Sequence, residues 1–102
     1  MLGKKPLYRT LLRKFAEQQR GAALGIRESL DAGDLVAAER RAHTVKGLAA
    51  TLGAAEVQAD ALALEIAIRE ARPRAVLDER LAAFEHRLGS LVGALDGRLP
   101  AN

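Results

Sequence analysis

Residues 42–54 (AHTVKGLAATLGA) form the segment whose residue types and spacing point most directly to a reaction. His43 is the candidate nucleophile, because a neutral imidazole offers a free lone pair near physiological pH. At about 100° per residue, a helix through this segment places His43 opposite an apolar stripe, so the ring is predicted to face solvent. The predicted stripe consists of Ala38, Val45, Leu48, Ala49 and Leu52, and the residues that share the face of His43 are Glu39, Arg40, Lys46, Gly47 and Ala50.

Two neighbours of His43 favour a reactive site over an ordinary surface histidine. Gly47 lies one turn beyond His43, although glycine inside a helix costs about 1 kcal/mol relative to alanine. It predicts a notch through which a partner approaches the imidazole; the alternative is close packing against a neighbouring helix. The ammonium of Lys46 would compensate the charge of a phosphoryl group on the ring; the alternative is one more exposed lysine.

Glu65 is the second candidate, because three of its neighbours one turn away, Ala61, Leu62 and Ile68, are apolar, and a carboxylate in such surroundings usually has a partner. His43 precedes Gly53 by ten residues and Glu65 follows it by twelve. Antiparallel helices that turn at Gly53 would therefore hold the two side chains at similar heights. We expect Glu65 to accept a hydrogen bond from Nδ1–H of His43, which leaves Nε2 as the nucleophile. The alternative is an ion pair with Arg69, one turn further on.

Apolar spacing, together with glycine and proline breaks, predicts four helices that position these residues. They run from near Pro6 to Gly33, over 35–52, over 54–71, and from beyond Pro73 to near Gly97. Asp34 is the expected N-cap of the second helix. Because Gly21 and Gly25 weaken the middle of the first helix, we expect either one bent helix or two helices in tandem.

The connections between these helices are short, so successive helices should pack antiparallel. The predicted fold is an all-α, up-down four-helix bundle in a single domain over residues 1–102. The last helix contributes a continuous apolar stripe of Leu77, Leu81, Phe84, Leu88, Leu91 and Leu95. We interpret residues 1–5 as the remnant of a linker and residues 98–102 as a frayed tail.

Composition agrees with this fold class and excludes several kinds of site. Hydrophobic residues make up 49% of the chain but aromatic residues only 3%, which indicates an aliphatic, helical core. The absence of cysteine excludes disulfides, thiolate metal sites and a cysteine nucleophile. No apolar run reaches the roughly 20 residues that span a bilayer. The net charge of +3 is spread along the helices among acidic residues, so we interpret it as solvated surface and expect no binding to nucleic acid.

The chemistry-bearing segment resembles the signature of histidine-phosphotransfer (Hpt) domains. The resemblance rests on HTVKG at 43–47, followed by Ala49 and by LGA at 52–54. It extends over nearly the whole chain, since residues 7–15 resemble the opening helix of Hpt domains attached to hybrid sensor kinases, and residues 32–34 resemble the turn before the active helix.

The resemblance implies that His43 is the phosphorylated residue. It also implies that Lys46 assists electrostatically, that Gly47 gives steric access, and that Glu65 occupies the position of a glutamine or glutamate that contacts the histidine. Two positions depart from the usual pattern: Val45 replaces a commoner leucine, and Arg41 stands where a small or apolar residue is frequent. Neither belongs to the reacting group, although Arg41 would tune the choice of partner.

The same resemblance implies partners and cofactors. A receiver domain of a hybrid kinase or response regulator would supply the phospho-aspartate and the Mg²⁺, so the chain needs no cofactor of its own. Without a glycine-rich phosphate loop or a second domain, it should not phosphorylate itself from ATP. We expect a cytoplasmic, monomeric phosphotransfer module without direct membrane contact.

Three alternatives remain open at this point. The chain is either such a relay, or a non-catalytic helical adaptor for a receiver or kinase domain, or a basic bundle that binds nucleic acid. In a further alternative, His43 is still phosphorylated, but the phosphoryl group comes from an ATP-dependent kinase domain. His86, the other histidine, lacks a glycine or lysine arranged around it, so we interpret it as surface and expect no metal site.

Overall fold

Four helices account for most of residues 4–96, the part of the chain that the structure, a computed structural model, describes. They are α1 (Lys4–Asp31), α2 (Leu35–Leu52), α3 (Ala55–Arg69) and α4 (Arg74–Asp96). The expected all-α bundle of four helices is confirmed. Each helix contacts its two neighbours in the order α1, α2, α3, α4 and back to α1, which is the arrangement of an up-down bundle.

Helix α1 is one long, continuous helix, although two glycines lie in its middle. It runs without a break through Gly21 and Gly25, so the prediction of two tandem helices is wrong. Its 28 residues correspond to about 42 Å of helix, close to the longest dimension of the molecule, 46 Å. It begins at Lys4, before Pro6, so residues 4 and 5 belong to the helix and not to a linker. The rest of the expected linker, residues 1–3, and the expected tail, residues 98–102, lie outside the described residues.

The turns on either side of α2 are built by the residues that punctuate the sequence. The carboxylate of Asp34 accepts a hydrogen bond from the backbone N–H of Ala37 at 3.0 Å and so caps the first turn. Gly53 ends the helix in the left-handed conformation, with φ at 74°, where glycine carries no Cβ penalty. The hydroxyl of Tyr8 donates to the carbonyl of Leu52 at 2.8 Å and satisfies a second group at this end. These contacts fix where the α2–α3 hairpin turns.

The α3–α4 turn has a left-handed residue like that after α2, but here it is an alanine and not a glycine. Ala71 follows α3 with a φ of 53°, in the left-handed region. The N–H of Arg72 bonds to the carbonyl of Ala67 at 3.1 Å, which is the hydrogen bond expected of a glycine-type helix end. An alanine here bears a steric cost that glycine would avoid.

Aliphatic side chains from all four helices fill the core. The largest fully buried side chains are Ile26, Val45, Leu64, Ile68, Leu81, Phe84 and Leu88. The predicted stripe of α4 is confirmed at Leu77, Leu81, Phe84 and Leu88, and Leu91 is half-buried. The side chain of Leu95 lies outside the described part of the chain.

The core stripe of α2 differs from the prediction, since Leu48 is exposed, Leu52 is only partly buried, and Ala42 is buried although it was not predicted. Leu48 is 44% exposed, so its assignment to the core is wrong. The buried residues of α2 are Ala38, Ala42, Val45 and Ala49. They repeat every three or four residues and form a narrow seam, and Leu48 lies beside this seam, about 90° from its centre at 100° per residue. Because the seam is largely alanine, α2 approaches its neighbours closely.

The side chain of Arg41 lies in the space that Gly25 leaves open because it has no side chain. The guanidinium of Arg41 lies across α1 at Gly25, where an added Cβ would be 2.8 Å from Nη1. The glycine therefore leaves the space into which the arginine folds. The aliphatic stem of Arg41 remains near the apolar side of α2 while its charge reaches the surface, as expected for a long cationic side chain.

Candidate functional site

His43 lies in the middle of α2 with its side chain 64% exposed, as its position opposite the core stripe predicts. Three surface cavities of about 430, 360 and 300 Å³ lie in the described part of the bundle, and His43 lines none of them. The ring is exposed to solvent on the surface of α2.

Glu65 of α3 contacts the histidine, as the register around Gly53 predicts. Oε2 of Glu65 lies 2.9 Å from Nδ1 of His43. The glutamate side chain is only 3% exposed, although carboxylates are rarely buried without compensation. The expected contact between the two residues is thus confirmed, and it is made by a carboxylate held inside the bundle.

The protonation of this pair follows from the environment of Glu65. Burial by itself raises the pKa of Glu65, but the hydrogen bonds and charges of Lys46 and His43 outweigh it and hold the pKa below the ordinary value of 4.5. The carboxylate is therefore ionised at neutral pH and accepts hydrogen bonds only. Nδ1 of His43 must carry the proton and donate it, which leaves the lone pair of a neutral ring on Nε2.

Lys46 lies on the other side of the same carboxylate. Its Nζ is 2.9 Å from Oε1 of Glu65, and the lysine side chain is 25% exposed. This ion pair compensates a carboxylate oxygen that is buried in the bundle. Lys46 is thus a partner of Glu65 close to the histidine, and not a freely solvated lysine.

Arg69 completes the set of contacts. Its Nη2 donates to Oε2 of Glu65 at 2.9 Å, and its Nε donates to Oε2 of Glu39 at 2.9 Å. On sequence alone, the ion pair between Arg69 and Glu65 is an alternative to the contact with His43. In the structure, Oε2 of Glu65 makes both contacts. Glu39 had been assigned only to the exposed face of His43. The register that places residue 43 beside residue 65 also places 39 beside 69, so the same reasoning would have found this bridge.

A comparison with protein families connects this geometry to a known class. The family model of the Hpt domain matches residues 10–97, most of the chain. The chain belongs to the Hpt-domain family. Hpt domains act in histidine phosphotransfer within phosphorelays, and they interact with receiver domains. Neither a search of curated proteins nor a search of solved structures gave a match.

The remaining predicted residues of this Hpt domain surround the ring on the surface of α2. A Cβ added at Gly47 would meet nothing within 4 Å, which excludes close packing against a neighbouring helix as the reason for this glycine. Ala50 and Arg40 are exposed. The guanidinium of Arg40 forms no ion pair with any residue between 4 and 96. This surface is therefore open beside the histidine and carries an uncompensated positive charge.

The other features of this Hpt domain give no sign of a second reactive centre. His86 is exposed on α4. Among the described residues no three histidine or acidic side chains are grouped so that they could hold a metal ion. Within residues 4–96 the helices also lack a segment long and apolar enough to cross a membrane.

Proposed function

We propose that this Hpt domain carries a phosphoryl group on Nε2 of His43. The group is accepted from the aspartyl phosphate of one receiver domain and passed to the aspartate of another. The proposal rests chiefly on one observation: an exposed imidazole has its Nδ1 held at 2.9 Å by a buried carboxylate. That contact selects the tautomer whose lone pair lies on Nε2, the nitrogen that has no partner in the described part of the chain.

The transfer step needs little covalent chemistry from this protein. The Nε2 lone pair attacks the phosphorus of the acyl phosphate, the P–O bond to the aspartate breaks, and the carboxylate leaves with the electron pair. The proton on Nδ1 stays on the ring, where Glu65 stabilises the positive charge that develops as the N–P bond forms. In the second transfer an aspartate of the next receiver attacks the phosphorus, and the imidazole leaves as the neutral ring.

Two neighbours have distinct roles in this proposal. Gly47 leaves the space through which the receiver's aspartate reaches Nε2, in keeping with the open surface beside it. Lys46 supplies positive charge near the phosphoryl oxygens, within reach of both Glu65 and the ring. Arg40 and Ala50 form part of the surface against which the receiver packs, and Arg40 offers its free charge to an acidic partner.

The partner is proposed to supply the rest of the reaction. The receiver brings the Mg²⁺ and most of the charge stabilisation, so this chain has no cofactor of its own and does not phosphorylate itself from ATP. We further propose that it works in the cytoplasm, as a monomer when isolated.

The experiment that tests the proposal is a transfer assay with a receiver domain charged by a small acyl phosphate. The wild-type chain should acquire an acid-labile, base-stable label. The His43→Gln variant should fold normally and remain unlabelled, whereas the matched His86→Gln variant should be labelled like the wild type. Failure of several charged receivers to label the wild type, with binding retained, would make the chain an adaptor. Labelling only by an ATP-dependent kinase domain would instead identify a different donor.

A further inference from the structure

The cluster around Glu65 contains more positive charge than orientation of the histidine requires. We propose that Arg69, held by Glu39, is a positioning residue that offsets the charge of Glu65 and so weakens the stabilisation that this carboxylate gives to a protonated His43 ring. This inference rests on the proposed function, because it concerns the nucleophilic form of the ring that accepts the phosphoryl group.

The geometric basis is an oxygen atom shared by two donors. Oε2 of Glu65 lies 2.9 Å from Nδ1 of His43 and 2.9 Å from Nη2 of Arg69. The two donor nitrogens are therefore no more than about 6 Å apart, within the range over which charges shift titrations strongly. Glu39 holds Arg69 in place by accepting from Nε at 2.9 Å.

A carboxylate beside a nucleophilic histidine has two opposing effects. It orients the ring by accepting the Nδ1 proton, and it also stabilises the imidazolium, in which Nε2 carries a proton and no lone pair. Orientation of the ring promotes phosphoryl acceptance, whereas stabilisation of the imidazolium opposes it. A cation on the same carboxylate oxygen reduces the stabilisation of the imidazolium and leaves the hydrogen bond to Nδ1 in place.

Acidic and basic side chains of two helices surround the ring. Glu39, Arg40 and Lys46 share its face of α2, and Glu65 and Arg69 lie opposite on α3. Glu39 and Glu65 raise the pKa of Arg69, Glu39 more strongly, so its guanidinium remains charged throughout. Arg69 is the cation bonded to the carboxylate oxygen that also contacts His43, so its removal leaves that oxygen more negative and favours the imidazolium.

The test is an NMR titration of the His43 ring in the unphosphorylated chain, with the ring nitrogens observed directly. In Arg69→Gln we expect the pH at which half of the His43 rings are protonated to rise, although by less than in a shielded pair, because His43 is exposed to solvent and to salt. Arg69→Lys keeps the charge and should restore most of the wild-type titration.

A matched control separates this effect from a loss of surface ion pairs in general. Arg87 also bridges two carboxylates, those of Asp60 and Glu56, so Arg87→Gln should leave the His43 titration unchanged. Glu39→Gln provides a test of sign, because it removes a negative charge and should lower the pH of half-protonation. An unchanged titration in Arg69→Gln, or an equal rise in Arg87→Gln, would overturn the inference.

The transfer assay gives the second readout. On the acidic side of the titration, Arg69→Gln should accept the phosphoryl group about three- to tenfold more slowly than the wild type, and the rate should recover at higher pH. A rate that falls equally at every pH would indicate a purely structural role and contradict the inference. If the wild type is not labelled at all, the proposed function fails, and the NMR titration still decides the role of Arg69.

Discussion

Three arginines within residues 4–96 each contact two carboxylates, and of these Arg69 belongs to the candidate site, whereas Arg74 and Arg87 do not. Arg69 joins Glu39 to Glu65, and Arg87 joins Glu56 to Asp60. The two bridges use similar bonds but differ in burial. The side chain of Glu65 is 3% exposed, whereas those of Asp60 and Glu56 are 22% and 79% exposed.

This difference explains why one bridge is ordinary surface and the other positions a reactive group. An exposed ion pair contributes little, because water and salt screen it. A buried carboxylate has lost its water and needs compensating partners. Glu65 obtains them from three side chains, His43, Lys46 and Arg69. Because one of these partners is the exposed His43, the contact that compensates the buried carboxylate also orients the ring that we propose accepts the phosphoryl group.

Removal of the buried carboxylate of Glu65 should have the largest effect on phosphoryl transfer. Glu65→Ala should slow phosphoryl acceptance by roughly 10- to 100-fold, since the ring loses the group that fixes its tautomer. Asp60→Ala removes the matching carboxylate of the Arg87 bridge and should leave the rate unchanged. Transfer rates at a fixed receiver concentration measure both, and equal rates for the two variants would reduce Glu65 to a structural residue.

Substitution of Gly47, the glycine beside His43, should have a smaller effect on phosphoryl transfer. The same substitution should slow transfer and increase stability. Gly47→Ala should raise the free energy of unfolding by about 1 kcal/mol, because the added Cβ meets nothing in the fold and alanine favours the helix. It should also slow transfer severalfold by narrowing the approach to Nε2. Gly21→Ala, also in open space on a helix, should give the same gain in stability without the loss of transfer. Denaturant unfolding and transfer assays on both variants decide whether the notch is used.

The pH dependence of stability provides a third test of the buried carboxylate. The folded-state pKa of Glu65 lies below its ordinary value of 4.5, since the partners of the carboxylate outweigh its burial. Glu65 therefore stabilises the fold above about pH 4.5, and this contribution is lost as the pH falls through the lower folded-state pKa. Glu65→Gln should lose less stability than the wild type over this acidic range. Parallel curves of unfolding free energy against pH would contradict the assignment.

The smallest effect lies far from the site, at the α3–α4 turn. Ala71→Gly should raise the free energy of unfolding by about 0.5 to 1 kcal/mol, because the left-handed φ of 53° strains alanine but not glycine. Transfer should be unaffected. A loss of stability in a thermal or denaturant melt would show that the entropy of glycine in the unfolded chain outweighs the strain.

Much of the architecture follows from local signals in the sequence. Asp34 and Gly53 bound α2 where capping chemistry places its ends, and this boundary fixes the register of the α2–α3 hairpin. The contact between His43 and Glu65 then follows from counting residues on either side of Gly53. Both predictions succeed because helix geometry converts sequence distance into height along the bundle.

The features that escaped prediction depend on how neighbouring helices meet. The angle of Leu48 around an ideal helix predicts a core position, but the seam of α2 is narrow and leaves this residue at its edge. Arg69 was treated as a competitor of His43, because the sequence cannot show that one carboxylate oxygen accepts both donors. Ala71 gives no glycine signal, so its left-handed conformation was invisible before the structure.

The central claim is that Nε2 of His43 carries the phosphoryl group while Nδ1 stays bonded to Glu65. The most direct test is a phosphorus–nitrogen correlation by NMR on the ¹⁵N-labelled chain after phosphorylation by a charged receiver. We expect the phosphorus signal to correlate with Nε2 of His43, with the proton retained on Nδ1. A correlation with Nδ1 of His43 or with either nitrogen of His86 would contradict the account, and so would the absence of phosphohistidine.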